Sequence, residues 1–212
     1  MSELVSLWNE PKLALLWIGL GYLLGSVPFG LILTRIAGLG DLRAIGSGNI
    51  GATNVLRTGN KGLAATTLLL DALKGTAAVV VGSYAGPEYG LVAGFGAFVG
   101  HCFPIWLRFK GGKGVATYLG ALFPIAWKIG VIFAAFWLAT AFVTRISSAS
   151  ALTACADLAA DAVCDRHAFC RHRVLIISII CVYRHKDNIR RMINGTEGKI
   201  GSKDECAPGR EI

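Results

Sequence analysis

Hydrogen-bond donors are concentrated in residues 46–57, which read GSGNIGATNVLR. Glycine allows backbone N–H groups to turn inward and approach a ligand closely, and an arginine can bind a phosphate or carboxylate through two hydrogen bonds. The alternative is a flexible surface loop, but long apolar segments flank this loop on both sides. We therefore predict an anion-binding loop whose donors are Ser47, Asn49, Asn54, Arg57 and the amides near Gly46, Gly48 and Gly51.

A second donor-rich loop occupies residues 109–117, FKGGKGVAT, also between apolar segments. Lys113 can meet a phosphate as a point charge, and its neighbours Gly111, Gly112 and Gly114 leave the backbone accessible. Nucleotide binding is a poor explanation, because the loop lacks the G-x4-G-K-[ST] spacing and a preceding buried strand. Two such loops beside a membrane predict one polar site at its surface.

The composition indicates a protein that is embedded in a membrane. Hydrophobic residues make up 54% of the 212 residues and charged residues only 16%, with a mean hydropathy of +0.57. Lysine and arginine outnumber aspartate and glutamate by 21 to 13. In a membrane protein such an excess first reports orientation, so we expect no nucleic-acid partner.

The apolar segments predict an all-α membrane protein of about seven crossings, some short or broken. The segments are 13–34, with a kink near Pro28, then 62–86, 91–107, the shorter pair 115–126 and 129–143, the polar segment 153–173 and finally 174–183. Basic residues in alternate loops place the N-terminus outside and the C-terminus in the cytoplasm. We expect one membrane domain over 1–200 and a disordered tail over 201–212.

Charged residues occur at membrane depth in the segment 62–86. Asp71 and Lys74 are three residues apart and share a helix face. A structural ion pair and a direct substrate contact are equally compatible with this spacing. His101, near the end of the next apolar segment, is expected to be a packed residue that supports the site.

Residues 153–173 are atypically polar for a membrane helix, since they include three aspartates, three arginines and three cysteines. Reading a leucine-rich region in a shifted frame produces alanine and cysteine codons, so one hypothesis is a frame shift in this part of the gene. The alternative is a genuine amphipathic or extramembrane insert. Cys164, His167, Cys170 and His172 have ligand-like spacing, but we expect an accidental cluster and no metal site.

Three long motifs resemble the bacterial acyl-phosphate:glycerol-3-phosphate acyltransferases of the Y type (PlsY). The motifs are DLR followed by GSGNIGATNVLR, GHCFPIWLRFKGGKGVAT over 100–117, and RHKDNIRRMINGTEGK over 184–199. The resemblance covers 13 to about 150 and resumes near 182. It implies transfer of an acyl group from acyl phosphate to the sn-1 hydroxyl of glycerol 3-phosphate, giving lysophosphatidic acid and phosphate, at the cytoplasmic face of a multi-pass inner-membrane protein.

The resemblance also assigns site residues. His185 and Asn188 are catalytic candidates that share a helix face, and Ser147 is a weaker substrate-binding candidate. His185 either takes a proton from the attacking hydroxyl or only orients it, because an acyl phosphate is already activated. The implied partners are the two substrates and membrane lipid, with no cofactor, nucleic acid or obligate protein partner. A transporter of phosphorylated metabolites remains the alternative function.

Overall fold

A computed structural model of the chain describes residues 10–164 and 168–200, together with their side chains outside 157–175. Every regular element in these residues is helical, so the prediction of an all-α membrane protein is confirmed at that level. The α-helices are α1 Pro11–Gly25, α2 Phe29–Ile36, α3 Ala52–Leu56, α4 Lys61–Ser83, α5 Pro87–Cys102, α6 Val115–Thr144, α7 Ser147–Cys164, α8 Ala168–Arg184 and α9 Lys186–Ile193, with 3-10 helices at Leu42–Ala44 and Ile105–Leu107.

Four segments of the described chain are long and apolar enough to cross a membrane by length and composition. They are Pro11–Ile36, Lys61–Ser83, Pro87–Leu107 and Val115–Thr144.

The first of these segments is interrupted where the sequence predicts a kink, between α1 and α2 beside Pro28. A break at membrane depth leaves backbone carbonyls without helical partners, and these must be satisfied within the protein. The ammonium of Lys74 donates to the carbonyl of Val27 at 2.8 Å, and the indole of Trp106 donates to the carbonyl of Ser26 at 2.7 Å. Two other segments therefore stabilise the break.

Glycines allow neighbouring helices to pack backbone against backbone. A Cβ added at Gly25 of α1 would lie 2.0 Å from the carbonyl oxygen of Ala97 in α5. One added at Gly120 of α6 would lie 1.9 Å from the carbonyl oxygen of Ala72 in α4. Close approach through small residues is the usual way in which membrane helices associate, and these contacts join α1 to α5 and α6 to α4.

Helix α6 reverses direction near its middle. Ala126, two residues after Pro124, has φ −155° and ψ 82°, which no α-helix contains. The rings of Tyr118 and Phe133 contact edge to face with centroids 5.6 Å apart, whereas a straight helix would separate them by about 22 Å. Residues 115–125 and 127–144 are thus two antiparallel arms, and Val115 and Thr144 lie at the same end of the bundle. The sequence places this return near Lys128.

The polar segment 153–173 has a helical backbone in α7 and at the start of α8. The two helices are in contact, since the hydroxyl of Ser178 donates to the carbonyl of Cys155 at 3.2 Å. Every charged side chain of this segment, the side chains of Cys164, His167, Cys170 and His172, and the tail 201–212 lie outside the part of the chain that the structure describes. The frame-shift hypothesis therefore stays a prediction.

Candidate active site

Asn54 holds the first donor-rich loop together. Its side chain is 1% exposed, and its amide nitrogen lies within 2.8–2.9 Å of the carbonyl oxygens of Leu42, Ile45 and Asn49. Its oxygen accepts from the amide of Ser47 and from the guanidinium of Arg57, each at 3.2 Å. The structure thus gives Asn54 a role in shaping the loop, and its predicted contact with substrate stays a prediction.

Arg57 lies beneath the turn at Gly46, which has φ +51°. A Cβ on Gly46 would lie 2.5 Å from Cδ of Arg57, so both the backbone conformation and the available space require glycine. The guanidinium is half-buried and faces a cavity that Ser47 and Asn49 also line. The loop therefore presents one cation and several polar groups to a common space.

The second loop presents Lys113 to the same cavity, and the amides of two of its glycines are bonded within the protein. The amides of Gly111 and Gly112 donate to the carbonyls of Cys102 and His101, at 3.2 and 2.9 Å, so neither amide is directed at a ligand. A Cβ on Gly112 would lie 2.0 Å from Nε2 of His101. Gly114 lines the cavity, whereas Gly111 lines a neighbouring cleft. Close packing is thus what the first two glycines provide.

The environment of Lys113 makes its charged form less favourable than it is in water. Burial lowers the pKa of its ammonium to about 8; the carboxylate of Glu197 opposes this shift, and the cations Arg191 and Arg57 add to it. A phosphate bound beside these cations would stabilise the charged lysine. The electrostatics therefore match an anionic ligand.

The N-terminus of α7 connects the first loop to the third motif. The hydroxyls of Ser147 and Thr53 are hydrogen-bonded at 3.0 Å, which ties α7 to α3 across the cavity. The next residue, Ser148, is buried and donates to Glu197 at 2.6 Å. Ser147 therefore lies in the wall of the cavity, as its resemblance to a family position implies.

His185 and Asn188 are both buried at the junction of α8 and α9 and both line the cavity. Nδ1 of His185 is 2.8 Å from the carbonyl oxygen of Cys181. Because a carbonyl can only accept, Nδ1 carries the proton, and Nε2 of the neutral ring is an acceptor. The ring can accordingly accept a hydrogen bond from a hydroxyl group.

Glu197 is the site residue that the sequence analysis missed. Its carboxylate accepts from Ser148, from Asn188 and, at 2.7 Å, from the guanidinium of Arg191. Burial acts to raise the pKa of this carboxyl, but those three hydrogen bonds outweigh it and lower the pKa. The one available signal was its position as the single acid of the third motif after Asp187.

The cavity has a volume of about 260 Å³ and two chemically different ends. The polar end is lined by Ser47, Asn49, Asn54, Arg57, Lys113, Ser147, His185, Asn188 and Glu197. The apolar end is lined by Leu68, Val115, Leu119, Phe133, Trp137 and Leu138. A neighbouring polar cleft shares Ser47, Asn49, Lys113 and Asn188 with the cavity and adds Lys110, Arg184, Lys186 and Arg191.

The charged pair in α4 forms as expected. The ammonium of Lys74 is 2.7 Å from Asp71, and Nδ1 of His101 is 3.6 Å from the same carboxylate. Lys74 also donates to the carbonyl of Val27. These two contacts are with groups of the protein, as expected for a structural ion pair. Asp71 reaches the cavity wall, so its contact with substrate stays a prediction. His101 is buried and also lies in that wall.

Comparison with known proteins gives one consistent family. A family model described as glycerol-3-phosphate acyltransferase matches residues 15–195, which include the segment 153–173. A glycerol-3-phosphate acyltransferase of Mesorhizobium japonicum is 61% identical over 183 residues, covering 86% of this chain and 94% of the relative. One from Brucella canis is 58% identical, with 86% and 91% covered.

Two solved structures are similar in fold to this chain. PlsY, an integral membrane glycerol 3-phosphate acyltransferase, is similar in its glycerol 3-phosphate form with a TM-score of 0.83 and 32% identity, over 90% of this chain and 97% of the other. Its lysophosphatidic acid form gives a TM-score of 0.80 and 31% identity, over 89% and 95%.

Proposed function

Because the chain belongs to the glycerol-3-phosphate acyltransferase family, of the PlsY type, we propose that its donor is an acyl phosphate and its acceptor the sn-1 hydroxyl of glycerol 3-phosphate. The products are lysophosphatidic acid and inorganic phosphate, and no cofactor or obligate protein partner takes part. This reaction is the first acylation of bacterial phospholipid synthesis.

One observation carries the proposal: a single cavity joins a cationic end to an apolar end. An acyl phosphate has an anionic head and an apolar tail, and lysophosphatidic acid has the same two parts. Phe133 is 1% exposed and lies in the apolar wall, whereas Leu138 in that wall is 61% exposed. An acyl chain can therefore run from the buried ring towards the lipid side of the bundle.

The polar end supports phosphate recognition and displacement. The hydroxyl oxygen of glycerol 3-phosphate attacks the acyl carbonyl carbon, and the bond from that carbon to the phosphate oxygen breaks. Arg57 and Lys113 bind phosphate oxygens and neutralise the charge that develops on the leaving group. Because the donor is a mixed anhydride with a good leaving group, positioning and charge neutralisation supply much of the acceleration.

The junction of α8 and α9 supports orientation of the acceptor. With its proton on Nδ1, His185 accepts the hydrogen bond of the attacking hydroxyl at Nε2. Asn188 is fixed by Glu197 and presents its side chain to the same space. The proton of the hydroxyl then passes either to His185 or to the departing phosphate, and we favour the phosphate.

The site lies at the cytoplasmic face of the inner membrane. We count seven crossings: α1 with α2, then α4, α5, the two arms of α6, α7 and α8. Both arms of α6 line the cavity, together with Arg57, Lys113 and the third motif. The basic residues of these loops favour the cytoplasmic side, which puts the N-terminus outside.

The donor and the position of transfer are tested with purified protein in detergent. Glycerol 3-phosphate is supplied with either an acyl phosphate or an acyl thioester, and the products are identified by mass spectrometry and NMR. We expect 1-acyl product from the acyl phosphate alone, with one phosphate released per acyl group. Acylation from the thioester only, or at the sn-2 hydroxyl, would contradict the proposal. Uptake of glycerol 3-phosphate into vesicles without acylation would favour a transporter.

A further inference from the structure

The turn that presents Lys113 has an unfavourable backbone conformation. Arg108 and Phe109 have φ of +51° and +62°, and Gly114 has φ +82°. Residues with a Cβ rarely adopt positive φ, and they keep such a conformation only where the surrounding structure enforces it. Lys113 therefore depends on contacts that hold the turn in place.

Two sets of contacts hold this turn from different parts of the chain. The end of α5 supplies carbonyls at His101 and Cys102, which accept from the amides of Gly112 and Gly111. Arg184 supplies the second set: its Nε donates to the carbonyl of Gly112 at 3.0 Å and its terminal nitrogen to that of Gly111 at 2.5 Å. Gly111 and Gly112 are thereby each bonded through both the backbone N–H and the backbone C=O.

Arg184 is well placed to connect two parts of the site. It ends α8, and the next residue along the chain is His185. Its guanidinium carbon also lies 5.2 Å from the centre of the Phe103 ring, which restricts the side chain further. A single guanidinium thus joins the turn that bears Lys113 to the junction that bears His185 and Asn188.

We propose that Arg184 is a positioning residue, whose guanidinium holds the turn at Gly111 and Gly112 so that Lys113 meets the phosphate opposite His185. This role rests on the proposed function, since it concerns placement of the phosphate-binding lysine. It requires arginine in particular. A lysine at 184 retains the positive charge but cannot donate to two successive carbonyls in fixed directions.

The test is the Arg184→Lys variant of the full chain, with Arg190→Lys as a matched control. Arg190 is exposed on α9 and lines neither cavity. Amide exchange is measured for peptides covering 108–114 and for peptides in α4, and the KM for glycerol 3-phosphate is measured in parallel. Loss of one charge-assisted hydrogen bond should raise the exchange rates of the Gly111 and Gly112 amides by roughly tenfold or more.

We expect Arg184→Lys to show this faster exchange and a KM raised by roughly tenfold, with α4 unchanged and Arg190→Lys like wild type. Unchanged exchange at Gly111 and Gly112 would overturn the proposal, whatever the activity. Faster exchange throughout α4, or failure of the variant to fold, would also overturn it, because the role would then be global. A wild-type protein without acyl transfer would refute only the proposed function, since the exchange result does not depend on it.

Discussion

Glu197 accepts a hydrogen bond from the side-chain amide of Asn188, with 2.5 Å between oxygen and nitrogen. The same carboxylate accepts from Ser148 in α7 and from Arg191 in α9. One acid therefore fixes three donors from two helices, α7 and α9, and the orientation of Asn188 depends on it.

Replacing this acid with its amide should disorganise the polar end. In Glu197→Gln the NH2 group replaces one oxygen, so either the contact with Arg191 or the contacts with Ser148 and Asn188 lose their acceptor, and the lost charge weakens the remaining contacts. We expect a fall of about 10–100-fold in kcat/KM, the cost of losing one or two charge-assisted hydrogen bonds. Steady-state kinetics check this, with Glu88→Gln, in the first turn of α5, as a control. Wild-type kinetics in Glu197→Gln would remove the acid from the account.

The pKa of Lys113 predicts a pH dependence of binding. With a pKa lowered to about 8 by burial, Lys113 is charged below that pH and neutral above it. We expect the affinity of the empty protein for glycerol 3-phosphate to fall as the pH rises through about 8. Calorimetric titrations between pH 6.5 and 9.5 measure this. In Lys113→Arg the guanidinium keeps its charge throughout. An equal alkaline fall in that variant would show that another group is responsible.

Two substitutions of His185 separate its possible roles. A glutamine can replace some of the hydrogen bonding of the imidazole but cannot take up the proton, and an alanine can do neither. We expect both variants to be impaired and His185→Gln to retain about tenfold more kcat than His185→Ala, since one hydrogen bond is worth about 1 kcal/mol or slightly more. Equal loss in the two variants would favour the role of general base.

Gly112 has no room for a side chain. The Cβ of Gly112→Ala would lie 2.0 Å from His101, and overpacking of this kind costs about 1–3 kcal/mol. We expect a lower midpoint of thermal unfolding in detergent together with weaker substrate binding. Gly19→Ala is the control, because nothing lies within 4 Å of a Cβ there. Equal midpoints of thermal unfolding in the two variants would show that the turn can shift to accommodate the added methyl group.

The sequence predicts a feature well when the residues that form it are close together in the chain. Residue type and spacing identified Arg57 and Lys113, the family resemblance added His185 and Asn188, and all four line the cavity. The break before α2 and the reversal in α6 could also be anticipated, since Pro28 and Lys128 interrupt the apolar segments. Such features depend on neighbouring residues alone.

Contacts between distant residues could not be predicted in this way. Glu197 and Arg184 act on groups that are far away in sequence, and nothing in the spacing of the motifs indicates those partners. The direction in which a backbone N–H points cannot be predicted from residue spacing either. Gly111 and Gly112 therefore resemble a phosphate cradle in sequence, although in the structure their amides bond to the end of α5.

The central claim is that Arg57 and Lys113 bind phosphate in the cavity where acyl transfer takes place. The direct measurement is acyl transfer from acyl phosphate to glycerol 3-phosphate by purified wild-type protein and by Arg57→Ala and Lys113→Ala. We expect the wild type to form lysophosphatidic acid, and each variant to insert into the membrane normally but lose about 100-fold or more in kcat/KM, because a dehydrated charge-assisted contact is removed. Near-normal turnover in both variants, or no product from the wild type, would contradict the account.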